Sequence, residues 1–428
     1  MIQENQFESS GLGADRFGLA RGLINLYVKK TLEKPELAHL YALQAEQHLR
    51  RLIRHDVSLT FAANCYQVKI AEETKEESDY PAVSNTNRRI EKVSPQEIQN
   101  PFLHISIKRI QALNLEYANK VIENRVLWQY FLNKYLRQYD LEITSSGGES
   151  RFLSISSKSF APTINLNIKV SVIMSAYRAE KTLYKSAYSI LNQMHSNIEL
   201  IIINDASDDK TGEVAETLKK YDRRVRVLHN PRAFGPYVSR NRALAVATGD
   251  YVTCHDADDI AMPSRIGRQL HSIVANDVTS STCQMLRLTD KGAITRRSMR
   301  PDSSSDGYSR LCHISGMHNI NFFRREIGSW DCVNFGADTE LLHRIERTRS
   351  GKIFHLNSVE YLAMDHADSL TRSKDFGLFS QEGMAIRAEY KKNWTSWHLS
   401  NNDLYLNFPQ TSRLFAAPEK MISNFTGI

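Results

Sequence analysis

The sequence predicts an α/β domain built on a parallel, doubly wound sheet and preceded by a helical region. Three observations predict it. Between Lys169 and Ser264, short apolar runs alternate with helix-length amphipathic segments, the pitch of strand–helix–strand units. Polar and acidic residues gather where those runs stop, at Tyr177, at Asn204-Asp205 and at Asp256-Ala257-Asp258-Asp259; parallel strands bring such ends to one edge, where ligands bind. Upstream, apolar residues recur instead at three- and four-residue steps.

In order, residues 14–70 read as helical, with Leu37, Leu40, Tyr41, Ala45, Leu49 and Leu52 on one stripe and Pro35 near a helix start. The acidic, polar stretch 71–100 reads as an exposed loop. Residues 102–140 return to helical periodicity, and their aromatic positions Trp128, Tyr130, Phe131 and Tyr135 read as core. An all-α N-terminal domain is therefore expected over 1–143, followed by a Ser-, Gly- and Asn-bearing linker over 144–167. The α/β domain then spans 168–375, with a helix and irregular tail over 376–428. Within it the expected strands are 170–174, 198–203, 225–228 and 251–255. The expected helices are 179–194, 213–221, 237–247 (closed by Gly249 as C′ residue) and 265–275. A hairpin turning at Asp290-Lys291-Gly292, a strand near 320–323, a helix from Gly336 to about Arg347 and another over 381–394 complete the pattern.

At 428 residues the chain has room for two or three domains and a large core. Its 41% hydrophobic and 24% charged residues are those of an ordinary globular protein. The net charge of +7 suits an anionic ligand or an acidic lipid surface. Nucleic acid is not expected as a partner, because no zinc finger, RNP-like motif or long basic run accompanies that charge. Cys65, Cys254, Cys283, Cys312 and Cys332 form no CxxC and are expected as reduced thiols. Neither a signal peptide nor an apolar run near the roughly 20 residues of a membrane span is seen. The expected setting is cytoplasmic, with peripheral attachment at the inner face of the cell membrane as an open option.

Three carboxylates within four positions at a strand end repel one another, and a hard divalent cation with oxygen ligands would offset them. A solvated acidic turn is the alternative. Asp205 and Asp338 each have a second reading as a helix cap, Tyr177 as a core side chain, and Arg240 as a solvated residue on a helix. Arg296, Arg297 and Arg300 make a basic group that reads as a solvated face.

The segments VSVIMSAY (170–177), IIINDASDDKT, SRNRALAVATGDYVTCHDADD, GADTELLHRI and HADSLT resemble, in family order, the motifs of family 2 glycosyltransferases, including those that build bacterial capsule and lipopolysaccharide. The resemblance covers roughly residues 168–372. It implies the GT-A fold, a Rossmann-like domain with a mixed, mostly parallel sheet. It further implies donor contacts at Ser175 and Tyr177 (the aromatic that stacks on the nucleobase), at Asp205 (the acid at the base edge), and at Arg240, Asp256 and Asp259. Asp258 matches the metal-ligating acid of the DxD pair, for Mn²⁺ or Mg²⁺, and His366 a histidine that completes the metal or diphosphate site. Asp338 matches the general base of inverting members. Where the family commonly has Glu-Asp this chain has Ala337-Asp338, which leaves Glu340 as a rival.

The expected function is an inverting, metal-dependent transfer of a sugar from a nucleotide-diphosphate donor, UDP-linked, to a hydroxyl of a glycan or lipid-linked glycan acceptor in surface polysaccharide synthesis. Two alternatives stay open. One is a non-catalytic nucleotide-sugar-binding subunit of a glycan-assembly complex. The other is a nucleotidyltransferase, disfavoured because the loop after the first strand, 175–180, has no glycine.

Overall fold

The structure, a computed structural model, describes residues 112, 114–162, 166–295, 306–366, 377, 380–410 and 412–423. The chain divides after Ile110 into two units, and every described residue belongs to the second. The helical reading of 14–70, the loop over 71–100, Cys65, the group Arg296, Arg297 and Arg300, and HADSLT beyond His366 lie outside the described residues.

A helical stretch over 114–120 and helix α1 (Arg125–Leu136) lead into an antiparallel hairpin, β1 (Leu141–Ser145) and β2 (Ile155–Ser159). Asn124 caps α1 by accepting from Val126 and Leu127 N–H groups. The expected linker over 144–167 is corrected here, since its first half closes a hairpin over the buried Phe152 and Ile155. Its Ser/Gly content marks the turn, and the apolar pair that anchors it is too sparse to register as a strand pattern.

The strand–helix units follow as expected: β3 (Val170–Ala176), α2 (Leu183–Leu191), β4 (Ile198–Asn204), α3 (Thr211–Tyr221), β5 (Val225–His229), α4 (Pro236–Val246) and β6 (Tyr251–Cys254). β3 and β4 are buried almost throughout, which is why each is a continuous apolar run and not an alternating one. Next come β7 (Ile260–Ala261), α5 (Arg265–Asn276), β8 (Ser280–Thr289), β9 (Arg310–Asn319), α6 (Ala337–Arg347), β10 (Ile353–Asp365) and α7 (Gln381–Ser400). The sheet order is β5-β4-β3-β6-β9-β8-β10-β7. β3 is parallel to β4 and β6, β4 to β5, and β8 to β10, whereas β9 runs antiparallel to β6 and β8, and β7 to β10. This is the mixed, mostly parallel sheet with flanking helices of the GT-A fold.

Three local readings change. Gly249 is not a C′ residue: α4 ends at Val246 with an extended cap at Ala247. A Cβ on Gly249 would lie 2.6 Å from Ser171 N and 2.9 Å from Lys169 O, so the glycine lets the turn before β6 approach the start of β3. The strand expected near 320–323 is instead a helical turn, Ile320–Phe322, capped by the Asn319 side chain; the strand precedes it. β10 has no counterpart in the sequence reading. Its Glu360 is fully buried, but Arg268 at 2.9 Å and Ser264 at 2.8 Å supply partners that only the fold provides.

Candidate active site

The acidic cluster sits where β6 leaves the sheet. His255 and Arg265 are buried beneath it. Arg265 donates to Thr253 Oγ1 (2.9 Å) and Cys254 O (2.8 Å) and lies 3.1 Å from His255 Nδ1. The turn is held by two bonds to β10: Asp256 N donates to Tyr361 Oη (3.1 Å), and Asp259 Oδ1 accepts from Met364 N (2.7 Å). So held, Asp256, Asp258 and Asp259 each present an oxygen within 4.8 Å of the others. His366, just past β10, brings Nε2 to 2.9 Å from Asp258 Oδ2, and both side chains remain about one third exposed.

Partial burial, reinforced by the charges of Asp258 and Asp338 and opposed by Arg240, pushes the Asp256 carboxyl up from its ordinary value. Burial, with the charges of Asp258 and Asp256, pushes Asp259 well above its ordinary value. Three carboxylates crowded at one turn, with an imidazole alongside, make a donor set suited to a hard divalent cation.

Arg240, on α4, connects this cluster to α6. Its side chain is 5% exposed. Nη2 donates to Asp256 Oδ1 at 2.9 Å, and Nη1 donates to Asp338 Oδ1 and Oδ2 at 3.0 and 3.2 Å. Burial would lower the guanidinium's pKa, but Asp338 and Asp256 outweigh it and hold the group charged. Tyr237, one turn earlier, donates to Asp338 Oδ2 at 2.9 Å and places its ring 4.8 Å from the guanidinium. Asp338 is thus oriented by two side chains of one helix while 19% of its own surface stays open.

Asp205 is buried at the end of β4. Its carboxylate accepts from Phe234 N (2.9 Å), Gly235 N (2.8 Å) and the Asn230 side chain. It therefore anchors the loop that opens α4, and through that helix the position of Tyr237 and Arg240. Tyr177, past the end of β3, is half exposed with Arg178 5.3 Å from its ring. Arg178 and Ala206 both have positive φ, 50° and 55°, a strained backbone for non-glycine residues at the two adjacent strand ends. Ser175 lies half-buried one residue before β3 ends. The structure thus joins Asp256, Asp258, Asp259, His366, Arg240 and Asp338 through direct contacts, and Asp205 through the 230–235 loop. Tyr177 and Ser175 stand at the neighbouring strand end.

Glu340 is corrected. It is 0% exposed and bonded to Arg344 (2.9 Å) and His398 Nε2 (2.9 Å), so no substrate proton reaches it. The sequence reading missed Tyr237, whose i, i+3 spacing from Arg240 was a usable signal. It also missed Tyr361, for which an unread strand left none.

Compared with known proteins, residues 171–330 match the family model described as glycosyl transferase family 2. The putative teichuronic acid biosynthesis glycosyltransferase TuaG of Bacillus subtilis (strain 168) is 36% identical over 183 residues, 42% of this chain and 73% of that protein. The UDP-Glc:alpha-D-GlcNAc-diphosphoundecaprenol beta-1,3-glucosyltransferase WfaP of Escherichia coli is 36% identical over 162 residues, 36% and 64% of the two chains. An uncharacterized glycosyltransferase of Haemophilus influenzae is 39% identical over 107 residues, 25% of this chain and 43% of its own; several such relatives are spanned over less than half their length. Among solved structures, S. aureus TarS 1–349 in complex with UDP-GlcNAc aligns with a TM-score of 0.39 and 17% identity, over 47% of this chain and 60% of that one.

Proposed function

The chain belongs to glycosyl transferase family 2, and from that membership we propose that its cleft transfers a sugar from a nucleotide-diphosphate donor, UDP-linked, to a hydroxyl of a glycan or lipid-linked glycan during surface polysaccharide synthesis. The names of TuaG and WfaP support the pathway class. The observation that carries the reading is the shared guanidinium of Arg240. It sets Asp338, an open carboxylate, one side chain away from an acid cluster suited to a diphosphate-bound cation.

The half-exposed ring of Tyr177 offers a stacking face for the base, with Ser175 and the Asp205-anchored loop beside it. Asp258 and His366, with Asp256 and Asp259 around them, would hold Mn²⁺ or Mg²⁺, whose chemistry is to neutralise charge on the departing diphosphate. Asp338 takes the proton of the acceptor hydroxyl as its oxygen bonds to the anomeric carbon. The bond from that carbon to the diphosphate breaks, and the nucleoside diphosphate leaves with the electron pair. One base acting in a single displacement gives inversion.

The test is release of nucleoside diphosphate across a donor panel, with and without Mn²⁺, for the wild type, Asp258→Ala and Asp338→Asn. Turnover that needs neither the metal nor Asp258 would remove the metal-assisted reading. Nucleotide binding without transfer to any acceptor would turn the protein into a binding subunit.

A further inference from the structure

We infer that residues 114–160, which precede the part matched by the family model, belong to the working site, and that Asn119 and Thr295 are positioning residues for His366. The path is a chain of short contacts. The Asn119 carboxamide donates from Nδ2 to Ile294 O (2.7 Å) and accepts at Oδ1 from Ile294 N (2.6 Å). One side chain thus satisfies both backbone groups of one residue, as a partner strand would. The next residue, Thr295, donates its hydroxyl to Asp365 Oδ2 at 2.7 Å. Asp365 is the last residue of β10, and His366 follows it, 2.9 Å from Asp258.

The junction is built, not incidental. Trp128 Nε1 donates to Gly292 O at 2.9 Å, and Phe152 N donates to Asp290 O at 3.0 Å. With the two Asn119 bonds, four bonds fall on residues 290–294 from this segment, and Ser150 adds a fifth to the Asp290 side chain. Gly292 has φ +87°, and a Cβ there would lie 2.9 Å from the Trp128 ring. Beyond it, Tyr135 Oη donates to the buried Asp306 at 2.6 Å. Trp128, Leu132, Phe152 and Ile155 share one apolar core with Leu288, Ile294, Leu362 and Met364. The last two belong to β10.

The direction in which the chain leaves β10 is set on two sides. Met364 N is tied to Asp259 within the acid cluster. Asp365 is tied to Thr295, whose neighbour Ile294 is held by Asn119. A ligand carried on the residue after a strand keeps its geometry only while that strand end keeps its angle, and supports outside the ligand shell commonly govern metal affinity.

This inference rests on the proposal that Asp258 and His366 hold the metal, so the experiment separates the two. With full-length protein and UDP present, Mn²⁺ binding is titrated by the electron paramagnetic resonance signal of free Mn²⁺ for the wild type, Asn119→Ala, Thr295→Val and Asp258→Ala. UDP affinity without metal and thermal midpoints are measured alongside. The expected result is loss of binding in Asp258→Ala and about 10-fold weaker Mn²⁺ binding in Asn119→Ala and Thr295→Val, with UDP affinity unchanged in the latter two. Wild-type Mn²⁺ affinity in those two variants, with loss in Asp258→Ala, overturns the positioning role and leaves the metal proposal standing, even where their thermal midpoints fall. Retained binding in Asp258→Ala removes the metal proposal itself. Should Asn119→Ala not fold, Thr295→Val decides, because it deletes the single hydroxyl bond to Asp365 at nearly constant volume.

Discussion

Asp338 and Glu340 stand two positions apart on α6, and a helix turns such neighbours to opposite faces. Asp338 faces α4 and the cleft, whereas Glu340 faces α7 and is enclosed by Arg344 and His398. Two substitutions separate their roles. Asp338→Asn is expected to fold normally and to lose about 10²–10⁴-fold in kcat, the range of a general base, as steady-state release of nucleoside diphosphate would show. Glu340→Ala strands the buried Arg344 and is expected to cost about 3–5 kcal/mol in urea unfolding, while the folded fraction still turns over. His318 adds a titration. It is buried against Phe323 with Nδ1 2.9 Å from Ser280 Oγ, and burial lowers its pKa to about 3. The unfolded chain takes up that proton near pH 6.5, so the stability the neutral ring contributes is present above about 6.5 and is lost as pH falls towards 3. The stability gap between the wild type and His318→Asn should therefore narrow from pH 7 to pH 4 in denaturant melts.

At the scale of elements, the β3–β6 pair decides where the acid cluster emerges, because β6 ends at Cys254, and His255, bonded to Ile173 of β3, leads straight into it. Gly249 permits that pairing through its contact with Ser171 and Lys169. Gly249→Ala should cost about 1–3 kcal/mol from overpacking against backbone that has little room to move, read as a lower urea midpoint at constant m-value. α4 is a second decisive element: Pro236 opens it, and one turn of it carries both Tyr237 and Arg240 to Asp338. The strands and helices of 170–255 were legible because parallel, doubly buried strands are written as unbroken apolar runs. β9 and β10 were not. They bury Ser315, His318 and Glu360, whose partners come from distant segments and leave no periodic mark.

Across the whole molecule, the site draws on β3, β4, α4, the turn after β6, α6 and the end of β10. Any ligand that binds this arrangement and not the unfolded chain stabilises it by mass action. UDP with Mn²⁺ at about 100 times the dissociation constant is expected to add about 2.7 kcal/mol and raise Tm by about 3 °C. Asp258→Ala should show no Mn²⁺-dependent part of that shift. Among the described residues no helix is long and apolar enough to cross a membrane.

The sequence by itself determined the α/β order of 170–255, the acids at the strand ends and the family resemblance, because those are local: periodicity, turn chemistry and short motifs repeat within a few residues. Only the tertiary structure decided that Arg240 bridges Asp256 and Asp338, that Glu340 is sealed away, that Asp205 holds the loop before α4, and that 114–160 packs on the strand leading to His366. Each of these depends on which distant segments meet, and burial supplies the partners that make a charged or polar residue tolerable where no local pattern announces it.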